Sequence, residues 1–239
     1  MAAVNDIIRQ LEREILPLQG FKQGGRGGVQ IGFKPIERAF PNNIFPTGAI
    51  HEFITSPGDI SATYGFVAGL LSQLTKQGSP CLWLGADHIF PPALSAFHLA
   101  PEKVIFINAK RPLDALWVME QALKCDRLAA VVGLIKDIDL TASRRLQLAV
   151  EQSNVTGLVI REHTKVPNTI ASFSRWRISS LPSEAIEGMP GVGVPRWNVE
   201  LLKVRNGKPG TWQVEWTAEG FRSVPGAVIN IPHVIRNVG

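Results

Sequence analysis

From residue 48 to residue 161 the sequence alternates short apolar runs with stretches of helical periodicity, and few architectures accept that alternation. Residues 49–55 (AIHEFIT) read as a strand, 61–74 as a helix, 81–86 (CLWLGA) as a strand, 92–99 as a helix and 104–108 (VIFIN) as a strand. Residues 112–124 read as a helix opened by Pro112, where a missing N–H leaves no helical bond unmade. Residues 128–135 (LAAVVGLI) form an apolar run of the kind found in strands buried on both faces. A helix over 141–152 and a buried strand over 156–161 follow. Strand and helix in strict succession specify an α/β fold, a parallel sheet wrapped by helices.

After about residue 170 the helices stop. Residues 174–179 (SRWRIS), 197–204 (WNVELLKV) and 211–216 (TWQVEW) read as strands, and Asn206 to Gly210 as a hairpin loop. Trp197/Val199/Leu201 and Trp212/Val214/Trp216 alternate, as antiparallel strands with one packed face do. At the other end, Val4, Ile7, Ile8, Leu11 and Ile15 fall on one stripe of a helix over 4–16, and a glycine-rich linker follows over 19–32. The expected division is therefore an N-terminal helix and linker (1–32), a core (33–218) and a tail (219–239).

Composition sets the outer bounds. In 239 residues, 45% are hydrophobic and the net charge is only +5, which excludes disorder and supplies a sizeable core. Cys81 and Cys125 are the only cysteines, so a disulfide scaffold is excluded. No apolar run approaches the roughly 20 residues of a membrane span, and charges run through residues 1–16 where a signal peptide would be apolar. A soluble, cytoplasmic protein is expected. The positive charge gathers late: residues 161–239 hold 10 Lys/Arg against 6 Asp/Glu, residues 1–160 hold 15 against 14. Arg144, Arg145, Arg161, Lys165, Arg175 and Arg177 are the candidates for a basic face toward DNA or an acidic partner.

In a sheet of this kind ligands sit beyond the C-terminal strand ends, and the first strand–helix turn reads Thr55-Ser56-Pro57-Gly58-Asp59-Ile60-Ser61-Ala62. A phosphate loop needs G-x-x-x-x-G-K-[ST] there, because glycines let backbone N–H groups wrap the phosphates and lysine neutralises them. Thr55 and Ile60 stand at the glycine positions, Ser61 at the lysine and Ala62 at the metal-binding hydroxyl. Asp59 brings a carboxylate to the helix N-terminus that a phosphate would use, and Ser56 with Asp59 has the spacing of a capping box. A degenerate, structural loop with no nucleotide cofactor is expected. Asp87-His88 after the second strand reads as a loop pair. Asp137 and Asp139 read as caps of the following turn. The five histidines have no metal-ligand spacing, and no G-x-S-x-G occurs.

The stretches QIGFKPIERAFPNNIFPTGAIHEF (30–53), RPLDALWVMEQALKCDRLAAVVGLI (111–135), SRRLQLAVEQSNVTGLVIREH (143–163) and PRWNVELLKVRNGKPGTWQVEW (195–216) resemble the ImuA family, RecA-like and SulA-related accessory proteins of bacterial mutagenesis cassettes. The resemblance implies a RecA-like core: a parallel sheet, mixed at its C-terminal antiparallel extension, flanked by helices. It implies a role in SOS-induced, error-prone translesion synthesis. The implied partners are a RecA-type recombinase, an ImuB-like Y-family homologue and a C-family error-prone polymerase. Asp87 aligns with the recombinase's catalytic carboxylate and Glu162 with its nucleotide-sensing glutamine. Both DNA-contacting loops of the recombinase are trimmed here, to about 136–141 and 163–171, so any DNA contact is expected to be weak. By the same resemblance the helix over 4–16 is an association element, with Ile7, Ile8, Leu11 and Ile15 as anchors on a recombinase or a second copy; the alternative is that the helix folds back onto this chain's own sheet. The other implied function is a SulA-like inhibitor that binds a division GTPase.

Overall fold

A computed structural model describes residues 27–85, 87, 89–162, 168–183 and 193–225. The stripe Ile7, Ile8, Leu11 and Ile15, as well as Lys165 and His88, lies outside the described residues.

Among the described residues nine strands form one mixed sheet. In chain order they are β3 (Ile50–Thr55), β4 (Cys81–Leu84), β5 (Val104–Ile107), β6 (Ala130–Leu134), β7 (Thr156–Glu162), β8 (Ser174–Leu181), β9 (Arg196–Val204), β10 (Gly210–Thr217) and β11 (Gly220–Ser223). Across the sheet the order is β11-β10-β9-β8-β3-β7-β6-β4-β5. The six from β8 to β5 are parallel, and β8 to β11 are antiparallel. A separate ribbon pairs β1 (Gly28–Val29) with β2 (Phe45–Pro46). The α/β class and the antiparallel C-terminal extension read from the sequence are those of the structure.

Among the described residues four α-helices accompany the strands: α1 (Lys34–Glu37), α2 (Ile60–Leu74), α3 (Pro112–Leu123) and α4 (Leu140–Ser153). Pro112 stands at the start of α3, and the Asp139 carboxylate caps α4 by accepting from the Ala142 N–H at 2.6 Å. The helices divide between the two faces. Phe66, Leu70 and Leu71 of α2 join Trp83, Trp176, Trp197, Trp212, Trp216 and Phe221 in the larger core. Met119 and Leu123 of α3 and Leu146 and Val150 of α4 pack on the other side against Ile50, Val131 and Val159.

Three expectations change. Residues 92–99 are not α-helical: Pro91–Phe97 is a 3-10 helix. Two prolines open it, His98 closes it at φ 56°, and the Ala96 carbonyl accepts from the Trp216 indole at 2.8 Å. The linker is folded by its end, since β1 begins at Gly28 and Ile31 is buried. The sheet runs past residue 218, because β11 pairs along β10 and buries Phe221.

The antiparallel wing closes over α2 only because that helix is thin there. A Cβ on Gly69 would stand 2.7 Å from Phe221 and 2.8 Å from Trp216, both rings of the core. Alanine would favour the helix by about 1 kcal/mol, but rigid rings at that range must shift, at about 1–3 kcal/mol. Gly69→Ala is therefore expected to lower the urea midpoint, with a net loss of up to about 2 kcal/mol in unfolding free energy. A midpoint that rises would mean that the wing yields freely.

Candidate functional site

The first turn follows β3 and is tied up by the protein's own groups. Thr55 is buried and its hydroxyl accepts from the Thr63 hydroxyl at 2.9 Å, joining the end of β3 to the first turns of α2. Pro57–Asp59 makes a 3-10 turn, and Ser56 donates to one Asp59 carboxylate oxygen at 2.8 Å. The other oxygen accepts from the Ser180 N–H at 2.9 Å and the Ser180 hydroxyl at 3.0 Å. Burial opposes the charge on Asp59, but these hydrogen bonds outweigh it and hold the carboxyl below its ordinary range. Asp59 thus clamps the turn to β8. The capping box is corrected in detail: Ser56 and Asp59 bond each other, but no side chain caps the helix N-termini here, because Ser180 takes the free oxygen. Gly58 faces open space, Ile60 begins α2, and Ser61 and Ala62 lie in its first turn. No lysine stands in the turn.

Beyond the ends of β4, β5 and β6 lies a cleft of about 380 Å³, lined among others by Gly85, Asp87, Lys110, Arg111, Lys136 and Asp137. Asp87 is exposed there. Glu162, at the end of β7, pairs with Lys136 at 3.8 Å. Burial first, then the charges of Glu162 and Asp87, push the Tyr64 phenol up to about 12. Both carboxylates named by the resemblance therefore lie within electrostatic reach of Tyr64 of α2.

The basic face contracts. Arg161 is 1% exposed and belongs to the interior, where it donates to Glu52 at 2.9 Å and to the Asn168 side chain at 2.6 Å. Arg175 also turns inward, bonding the second Glu52 oxygen at 2.7 Å and the Asn168 carbonyl at 3.1 Å. Both are corrections to the expected face, and the cause is Glu52: a fully buried carboxylate on a central strand must be paired. Of the described candidates Arg144, Arg145 and Arg177 remain exposed, and Arg145 and Arg177 are paired with Glu120 and Glu200. Sequence reasoning missed the Glu52 network, though a charge inside each of IHEFIT, GLVIRE and SRWRI signalled it.

Fold and site together define an α/β protein with a largely parallel sheet whose first strand–helix turn is occupied by its own carboxylate and hydroxyls. No family model matches the chain. Protein ImuA of Caulobacter vibrioides (strain NA1000 / CB15N) is 33% identical over 213 residues, 82% of this chain and 86% of that protein. The chain belongs to the ImuA family. It is also similar to the cell division inhibitor SulA of Yersinia pestis (strain Pestoides F), 30% identical over 116 residues, 48% of this chain and 68% of SulA. SulA of Yersinia pseudotuberculosis (serotype O:1b, strain IP 31758) matches to the same extent. Among the described residues no helix is long and apolar enough to cross a membrane.

Proposed function

We infer that the chain is a non-catalytic adaptor with an accessory role in damage-induced, error-prone DNA synthesis. Membership of the ImuA family supports the accessory role. The observation that carries the non-catalytic part is the Asp59–Ser180 clamp, which puts a carboxylate and its donors where a phosphate cradle would be. The adaptor acts through protein partners: a RecA-type recombinase, an ImuB-like Y-family homologue and a C-family polymerase. The stripe Ile7, Ile8, Leu11 and Ile15 is the handle. DNA contact through Arg144, Arg145 and Arg177 is weak and lost as salt rises. The similarity to SulA over 48% of the chain favours, as the second reading, binding of a division GTPase.

Capture from purified components decides between the readings. The tagged chain is expected to retain recombinase and the ImuB-like protein and not the division GTPase; the reverse pattern makes the second reading the right one. Nucleotide is a separate test. Without lysine and glycine cradle, several charge-assisted bonds worth about 1.5–3 kcal/mol each are missing. Calorimetry with ATP and Mg²⁺ is expected to register no binding below millimolar concentration, and a micromolar Kd would overturn the non-catalytic reading.

A further inference from the structure

The outer sides of α3 and α4 carry large apolar groups in water. On α3, Leu113 is 81% exposed and Trp117, one turn later, 60%; on α4, Leu148 is 58% exposed. The Arg145–Glu120 ion pair ties the two helices side by side. Trp117 lies three residues before Glu120 and Leu148 three residues after Arg145, so helical geometry sets both along the outside of the seam that this pair spans. Leu113 extends the row by one turn of about 6 Å. Exposed Trp and Leu spaced one turn apart form the kind of patch that marks an interaction surface.

The chain enters the described fold at the foot of this seam. The Gly27 carbonyl accepts from the Thr47 N–H at 3.1 Å. Next along, a Cβ on Gly48 would stand 3.2 Å from the Cα of Asn154, the C-terminal cap of α4. Ahead of Gly27, residues 17–26 can extend to about 33 Å. As a helix, residues 4–16 span about 20 Å, close to the roughly 21 Å of α4. Their apolar stripe needs cover, because an isolated helix of that length is marginal in water.

We propose that residues 4–16 of the same chain lie along the α3–α4 seam as a third helix, with the Ile7, Ile8, Leu11 and Ile15 stripe on Leu113, Trp117 and Leu148. The occupant is this chain's own segment because its tether begins at the seam's foot. A short tether of this kind gives an effective concentration in the millimolar range, which a second copy does not match at ordinary protein concentration. The docking is a resting state: the same stripe that captures a partner is held on the protein until the partner displaces it. It needs no partner to exist, so it stands or falls apart from the adaptor reading.

Hydrogen exchange of the full-length chain alone, followed by mass spectrometry, tests it. Amides of residues 4–16 are expected to exchange about tenfold or more slowly than in an unstructured peptide, with the chain monomeric by sedimentation. Leu113→Ser/Trp117→Ser/Leu148→Ser is expected to abolish that protection while segments from β6 and β7 keep theirs. If the triple variant misfolds, Trp117→Ser alone is expected to weaken the protection severalfold. Exchange at the free-peptide rate in the unaltered chain, or protection that survives the seam variants, overturns the proposal. Protection that grows with protein concentration as dimers form also overturns it, since a second copy is then the occupant.

Discussion

Replacing Glu52 by glutamine is expected to lower the unfolding free energy by about 3–5 kcal/mol. In a chain of this size that moves Tm by roughly 10 °C. Glu52 is fully buried and sits opposite Arg175 on the neighbouring parallel strand β8, with Arg161 reaching it from β7 on the other side. One carboxylate therefore serves two guanidiniums, with the Ser172 hydroxyl nearby at 3.4 Å. The amide accepts at one atom only and carries no charge, so Arg161, 1% exposed, is left as a buried cation without a counter-ion. Arg175 keeps some access to water and is harmed less. Adding Arg161→Met removes the stranded cation, so the double variant should lose at least 1 kcal/mol less than the sum of the two single losses. Asp114→Asn, which breaks the exposed pair with Arg111, is the control and should leave the urea midpoint almost unchanged. Urea denaturation measures all four. A Glu52→Gln variant as mild as the control would mean that water reaches this network.

That network also marks where the sequence stopped being legible. The strands themselves could be read because each is a short apolar run bounded by turn residues. Pro112 and Asp139 could be read because a helix start requires particular chemistry whatever the helix packs against. The departure from the phosphate-loop pattern was equally local, since it depends on which residues occupy eight consecutive positions. Arg161 and Arg175 were not legible in this way. Counted along the chain they are two more positive charges; only the parallel pairing of β8 with β3 sets Arg175 against Glu52, and only β7 on the opposite side brings in Arg161. The partner of Asp59 was hidden for the same reason, because Ser180 is 121 residues away and reaches the first turn through the register of β8. Local sequence shows which residues of the phosphate-loop pattern are missing from 55–62, and strand order shows that Ser180 bonds Asp59 there. The proximity of the α3–α4 seam to Gly27 is likewise a matter of packing, set by Gly48 against Asn154.

Stability should also fall as the solution is acidified from pH 7 to pH 5, by about 2 kcal/mol, through His51 alone. This imidazole is fully buried on β3, stacked on Phe45 with ring centroids 4.4 Å apart. Its Nε2 lies 2.9 Å from the Pro46 carbonyl, which can only accept, so Nε2 carries the proton. Nδ1 is then the acceptor, 2.6 Å from the Ser174 hydroxyl, which itself accepts from the Trp176 indole at 2.7 Å. Burial lowers the pKa from 6.5 to about 4, and the hydrogen bond to Pro46 offsets only part of that. In the unfolded chain His51 takes up a proton below pH 6.5 while in the fold it stays neutral. The unfolded state therefore binds more protons between pH 6.5 and 4, and stability drops across that window as pH falls. Above pH 7 neither state is charged and the contribution is flat; the loss reaches about 3 kcal/mol near pH 4 and levels off below it. His51→Gln keeps a donor for Pro46 and an acceptor for Ser174 but cannot titrate. It is expected to be less stable than the native chain at pH 7.5, because the stacking on Phe45 is lost, and to show a much shallower decline toward pH 5. Urea midpoints at the two pH values provide the comparison, and a His51 imidazole resonance, assigned by its absence from His51→Gln, that titrates near 6.5 in the folded protein would refute it.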